Sequence, residues 1–352
     1  MDYILDNGYI DVGKIAQIGA VFNWILAPRG TGKTYGFLKY CIENDLKFIL
    51  LRRTQAQIDT VANDQMTPFK TVCRDMGLFW NVTRVPKTSL YAVKFSREEL
   101  SDMEWKQHAT NAICLGLSTV SNIRGFDASE YTHIIYDEFC PEPHERPIRD
   151  ECGAFLNAYE TINRNRELNG EEPVRVFALG NANAIYNPYF IQLNHVSKVA
   201  EMQETGRICY YNPQQRYCIL SFPCTEISRE KSETALYTYA KRSQAFYNMA
   251  IENQFEYTSD DVCPAPLKEF EPYMAVGELL IFCHKSKSKL YCFMKRDGYK
   301  IDAKQFLSVY TSSEEDLKKF KILEGNTFKY YLYGLVLFES HEVKGLFLKY
   351  FT

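Results

Sequence analysis

The chain has 352 residues, 46% hydrophobic and 24% charged, a globular composition that excludes a disordered or fibrous chain and suggests about two domains of roughly 150 residues each. Its 41 Lys and Arg against 44 Asp and Glu give a formal charge of -3, so any nucleic-acid contact must come from a local basic patch, not a global field. Eleven scattered cysteines without a Cys-x-x-Cys pair and an acidic, base-free N-terminus read as reduced thiols in a cytosolic protein with no signal peptide. The most apolar stretches, 18–27 and 330–338, fall short of the roughly 20 residues of a membrane span, so no membrane partner is expected.

In chain order, residues 21–26 read as a buried strand and 27–34 as a turn-rich loop. Residues 35–44 have helical apolar spacing, and 47–51 form a second strand. This β-loop-α-β pattern predicts a parallel sheet covered by helices. Strands follow at 90–95, 112–117, 132–136 and 174–179, with a helix over 148–166. The texture then changes. Strands are expected at 207–211 and 217–222, and one long helix over 228–253 with Ser228 or Thr225 as N-cap. The three prolines of 260–272 mark a boundary. Strands at 278–282 and 290–294, a hairpin turn at 296–299, a capped helix at 312–320, a strand at 328–338 and a last helix at 341–351 complete the pattern.

Ala27-Pro28-Arg29-Gly30-Thr31-Gly32-Lys33-Thr34 fits G-x-x-x-x-G-K-[ST] at every fixed place but the first. In such a loop, glycines let backbone N–H groups approach phosphates, the lysine neutralises the β/γ-phosphates, and the hydroxyl holds Mg²⁺. Residues 27–35, including Tyr35, are therefore the candidate nucleotide site, for ATP with Mg²⁺. No Asn-Lys-x-Asp guanine signature follows. Arg29 is either a γ-phosphate or neighbour-subunit contact or a plain loop cation.

Asp137 and Glu138 end an apolar strand. Successive side chains of a strand point to opposite sides, so Asp137 can serve Mg²⁺ with Thr34 while Glu138 deprotonates an attacking water. That pairing points to P-loop NTPases of the additional-strand catalytic glutamate class. Asn181, just past the next strand, either bonds the γ-phosphate or water or satisfies a turn. Arg164 and Arg166 cannot face the same way on a helix, so at most one completes a neighbouring subunit's site, and both equally suit a helix C-terminus. Arg124, in a loop, is a second candidate. Arg52-Arg53 either contacts phosphate or a partner or is a solvated pair.

With these parts together, the chain resembles the DNA-packaging (encapsidation) ATPases of small podophages with protein-primed linear genomes. The resemblance rests on Arg29-Gly30-x-Gly32-Lys33-Thr34-Tyr35, Leu51-Arg52-Arg53, Ile135-Tyr136-Asp137-Glu138-Phe139, Arg164-Asn165-Arg166-Glu167, Asn181-Ala182 and Asn187-Pro188-Tyr189-Phe190. It departs at Ala27, where glycine is usual, and at Arg124, where a lysine can stand. The resemblance implies an ATPase motor that drives double-stranded DNA through the portal (connector) into the procapsid as a homopentameric ring. Catalytic roles fall to Lys33, Glu138 and Asn181, with Arg164 acting in trans and Arg124 at the interface. It implies residence in the host cytoplasm, transiently at the portal vertex and not in the mature virion. Some relatives engage a structural RNA at the portal, which these residues leave open.

The expected architecture is α/β: a P-loop ATPase domain over 1–204, a linker or helical subdomain over 205–259, and a smaller α+β domain over 260–352. The family's C-terminal domain resembles a ribonuclease H-type nuclease that has lost its metal ligands, and here a DNA-binding or docking role is preferred to an active nuclease. Lys285, Lys287, Lys289, Lys295, Arg296 and Lys300, interleaved with aromatics, would line one face of an extended segment suited to phosphate tracking, or keep an exposed hairpin soluble. Two other readings compete with the motor: a terminase-like enzyme with an active C-terminal nuclease, and an ATP-dependent assembly switch.

Overall fold

Runs of aliphatic residues without polar interruption become strands buried on both faces, the pattern of a parallel sheet. In the computed structural model, which describes residues 3–63, 66–123, 127–142, 145, 148–255, 261–262, 267–294 and 301–351, the strands of the first sheet are β1 (Phe22–Leu26), β2 (Phe48–Arg52), β3 (Phe79–Arg84), β4 (Tyr91–Ser96), β5 (Ala112–Gly116), β6 (His133–Asp137), β7 (Arg175–Gly180), β8 (Cys209–Asn212) and β9 (Tyr217–Ser221), of which the central ones follow this pattern and the outermost β3 and β8 do not. Among the described residues they form a nine-stranded sheet in the order β3-β4-β5-β2-β6-β7-β1-β9-β8. The six strands from β5 to β9 are mutually parallel. The edges are antiparallel: β3 and β4 on one side, β8 on the other. Fully buried Ile25, Phe37, Leu50, Ile135, Phe177 and Leu220 belong to its core.

The chain divides into two compact units, one of residues 1–184 with 202–256, the other of residues 185–201 with 257–352. The segment 205–259, expected as a linker or helical subdomain, instead supplies β8 and β9 to the large sheet. The expected long helix over 228–253 is broken into Glu226–Ser232, Ala235–Ala240 and Gln244–Tyr247, followed by a wide turn over Asn248–Glu252. Thr225 is the N-cap, accepting from the Ser228 amide. The break has a local cause: the Ser232 hydroxyl donates to Arg229 O at 2.6 Å and the Thr234 hydroxyl to Lys231 O at 2.8 Å, competing for helical carbonyls.

The second unit carries β10 (Phe270–Val276), β11 (Leu279–His284), β12 (Leu290–Met294), β13 (Ser308–Tyr310) and β14 (Val336–Phe338), in the order β13-β10-β11-β12-β14. Part of the expected boundary 260–272 is thus strand: Pro272 is accommodated in β10 where the register shifts between Pro272 and Met274. The expected strand over 328–338 is a helix, Gly325–Leu332, followed by β14. Gly334, at φ +69°, ends the helix between them. The helix His341–Phe351 packs Phe347 and Phe351 against Phe338, Phe320 and Phe328. The hairpin turn expected at 296–299 lies outside the described residues. No described helix is long and apolar enough to cross a membrane.

Candidate active site

The loop 27–34 leaves the centre of the sheet. β1 is hydrogen-bonded on both sides, to β7 and β9, and the Ala27 amide donates to Gly180 O at 3.2 Å. Ala27 is fully buried in the core with an ordinary negative φ, so alanine strains nothing there. Gly30 and Gly32 do require glycine: their φ angles are +86° and +78°. Gly32 caps the helix Lys33–Glu43, whose first turn holds no acid. Its free N–H groups and dipole therefore face the loop uncompensated. The Thr31 hydroxyl donates to Pro28 O at 2.9 Å and ties the loop to itself. Tyr35 lies in the first turn of the helix, its hydroxyl donating to Asp75 at 3.1 Å.

Lys33 folds over the loop. Its Nζ donates to the carbonyls of Ala27 and Pro28 at 2.7 and 2.9 Å and to Asn181 Oδ1 at 2.8 Å. Burial depresses its pKa to about 7, helped by the nearby cations Arg29 and Lys231 and opposed by Asp137 and Glu138. The Thr34 hydroxyl donates to Asp137 Oδ1 at 2.7 Å. Hydroxyl and carboxylate oxygens side by side are hard donors, a set that fits Mg²⁺. The other Asp137 oxygen accepts from Arg52 Nη2 at 2.7 Å.

Asp137 and Glu138 part company at the strand end. The Asp137 side chain is 3% exposed and that of Glu138 57%, with Arg52 Nη1 at 3.4 Å from Glu138 Oε2. Glu138 sits at φ +59°, an uncommon conformation for a residue with a side chain. Loss of water around the pocket raises its pKa. Arg52 opposes this, while Asp137, Glu142 and Glu145 add to it. β7, which ends at Gly180, lies between β1 and β6, placing Asn181 beside both. The resulting cavity of about 370 Å³ is lined by Arg29, Lys33, Thr34, Asp137, Glu138 and Asn181 among others.

The arginines separate. Arg166 is buried, its Nη2 donating to the carbonyls of Ser129 and, at 3.1 Å, Tyr131, so it pins the loop before β6. Arg164 is exposed, at φ +48°, where the helix Glu151–Asn163 ends. The preceding Asn163 accepts from the Val174 amide at 2.8 Å, which places this corner at the start of β7. The loop 27–34 meets the other end of that strand, six residues or about 20 Å away. Arg124 lies outside the described residues.

Lys285 and Lys287 are exposed and Lys289 partly so, in the tight turn joining β11 to β12, with Lys287 at φ +57° and the His284 amide donating to Lys289 O at 2.9 Å. The turn corrects the expectation of lysines alternating on one extended face, because an alternating face requires strand geometry. Lys295, Arg296 and Lys300 lie outside the described residues.

Sequence reasoning missed a buried ion cluster behind the site. Arg53, 1% exposed, donates to Glu151 at 2.6 and 2.9 Å and to Glu145 at 2.7 Å. Gln57 adds a bond to Glu145 at 3.0 Å. Arg29 pairs with Glu142. The only signal was the Arg52-Arg53 doublet at a strand end. The partners lie far along the chain, and no local pattern marks them.

The Podovirus DNA encapsidation protein (Gp16) family model matches residues 93–276. The DNA packaging proteins of Bacillus phages PZA and phi29 are each 27% identical over 193 residues, covering 53% of this chain and 50% of theirs. That of Bacillus phage B103 is 24% identical over 247 residues, 68% of this chain and 66% of the relative. The chain thus spans about half the length of the first two curated relatives in these matches. Among solved structures, the Phi-28 gp11 DNA packaging motor matches with a TM-score of 0.63 at 16% identity over 96% of both chains. The bacteriophage Phi-29 viral genome packaging motor assembly matches at 0.60 and 16%, over 97% of this chain and 98% of that one. These two likenesses show a shared fold.

Proposed function

Because this chain belongs to the Podovirus DNA encapsidation protein (Gp16) family, we propose that it is an ATP-hydrolysing motor subunit that translocates double-stranded viral DNA through the portal into the procapsid. The observation that carries the reading is the convergence of Lys33, Thr34, Asp137, Glu138 and Asn181 at the C-terminal ends of the central parallel strands. The placement of β7 between the loop strand and the acidic strand supports the additional-strand class.

In this reading the loop amides and Lys33 hold the phosphates, exchanging the carbonyl bonds of Lys33 for phosphate oxygens. Thr34 and Asp137 hold Mg²⁺, which supplies charge neutralisation when bound. Arg52 orients Asp137 through its 2.7 Å bond to the second carboxylate oxygen. Glu138, on the open side of the pocket, takes the proton from an attacking water. Asn181, already bonded to Lys33, senses whether that lysine is engaged. Arg164 stands about 20 Å from its own loop, at the opposite end of β7, so a phosphate partner for it lies in a neighbouring subunit, as a closed ring provides. We propose that ring to be homopentameric, working transiently at the portal vertex in the host cytoplasm.

The test is steady-state ATP hydrolysis with and without double-stranded DNA, for the wild type, Glu138→Gln, Arg164→Ala and mixtures of the two. DNA-stimulated turnover in the wild type, absent from both variants and partly restored on mixing, is expected. Mixing restores activity because Arg164→Ala subunits keep Glu138 while Glu138→Gln subunits lend an arginine. Turnover indifferent to DNA and retained by Arg164→Ala overturns the motor mechanism.

A further inference from the structure

The helix Glu226–Ser232 brings a second lysine to the phosphate loop. A Cβ placed on Gly30 would lie 2.7 Å from the Lys231 ammonium and 3.1 Å from its Cδ, so the lysine lies along the loop with its charge at the loop's midpoint. The segment that carries it is fastened to the site at further points. The Arg29 amide donates to Ala250 O at 3.0 Å, and the Arg29 guanidinium stands 5.9 Å over the Phe246 ring. Asn253 Oδ1 accepts from the Ala182 amide at 3.1 Å, one residue beyond Asn181.

Lys231 is not held there by a carboxylate among the described residues: nearby Glu233 faces Lys241 at 3.6 Å. The contact it does make is with the Tyr237 ring, 5.5 Å from its ammonium, which attracts a cation without neutralising it. Lys33 and Lys231 therefore converge on one glycine-rich turn, beside Arg29, which is itself paired with Glu142. Two lysine ammoniums brought together over a glycine-rich turn at a helix N-terminus form a receptor for a polyanion.

We infer that Lys231 is a phosphate-positioning residue, supplied in cis by the helical segment after β9 and directed at the terminal phosphates of a nucleoside triphosphate. The inference rests on the nucleotide-binding reading of the loop. Loss of the terminal phosphate removes the counter-charge that Lys231 faces. Residues 226–253, tied to the loop at Arg29 and to the Asn181 turn at Ala182, thereby feel the state of the nucleotide.

The experiment is calorimetric titration of the full chain with ATP and with ADP, for Lys231→Ala, Lys231→Arg and Lys33→Ala, with urea unfolding of each. Lys231→Ala is expected to weaken ATP about tenfold and ADP less than about threefold, the loss of one charge-assisted contact. Lys231→Arg is expected to restore ATP affinity, and the urea midpoint of Lys231→Ala to stay at the wild-type value. Wild-type ATP affinity in Lys231→Ala, with binding lost in Lys33→Ala, overturns the role of Lys231 alone. Equal weakening of ATP and ADP without rescue by arginine reduces Lys231 to a structural contact and also overturns it. If Lys33→Ala binds ATP normally, the nucleotide reading of the loop itself falls.

Discussion

Replacing Arg53 by methionine should destabilise the first unit by about 3–5 kcal/mol, the cost of stranding a buried charge. The structure fixes why the figure is this large. Glu151 is 1% exposed and takes two of its bonds from Arg53, at 2.6 and 2.9 Å. The third guanidinium bond, to Glu145 at 2.7 Å, also ends. Methionine fills most of the arginine stem's volume, so the cavity adds little and the charge dominates. Burial works against the Arg53 charge, and the paired carboxylates outweigh it, raising its pKa above the ordinary arginine value. The assay is thermal unfolding followed by circular dichroism, where a loss of this size lowers the midpoint by roughly 10 °C in a unit of this length. The companion variant Arg53→Met/Glu151→Leu removes both charges and should recover most of the loss, because an apolar pair of similar volume does not need water. A shift under about 2 °C in Arg53→Met, or a double variant no better than the single, would refute the reasoning.

Arg166→Ala should lower the melting temperature by several degrees, since it unpairs two loop carbonyls at a cost of about 1–3 kcal/mol, whereas exposed Arg164→Ala should leave stability within about 0.5 kcal/mol of the wild type; parallel melts of the two variants check the contrast. Thr34→Ala should raise the Mg²⁺ concentration needed for half-maximal ATP hydrolysis, because Asp137 loses its neighbouring hydroxyl donor, and a Mg²⁺ titration reads this directly. His133 is buried against the Phe177 ring, and burial, then Arg175, lowers its pKa to about 4. The unfolded chain therefore binds the extra proton first, stability falls as pH drops from 6.5 to about 4, and His133→Phe should flatten that part of the pH–stability curve measured by urea unfolding.

The central strands were legible because burial on both faces leaves an uninterrupted apolar run, as at 48–51 and 133–136. Edge strands carry no such signature: β3, with the sequence Phe-Trp-Asn-Val-Thr-Arg, is nowhere fully buried, and nothing in 79–84 announced it. β10 was hidden by Pro272, which the sheet tolerates only through a register shift. The long helix expected over 228–253 failed for a related reason. Apolar spacing continues across Ser232 and Thr234, while their hydroxyls end the helix locally.

What the sequence by itself determined is the local chemistry. The glycines, Lys33 and Thr34 are contiguous, Asp137 and Glu138 adjacent, and loop and acids each follow a strand, so short-range pattern suffices to read them. Tertiary structure alone decided which distant residues complete the site. Arg52 reaches Asp137 across 85 positions, Arg53 reaches Glu151 across 98, and Lys33 reaches Asn181 across 148. It also separated Arg164 from Arg166 into surface and core, and laid Lys231 on Gly30. The physical reason is the parallel sheet: it sets side by side the C-terminal ends of central strands that are remote in the chain, and a charge there is free, buried or paired according to strand order, which no stretch of sequence records.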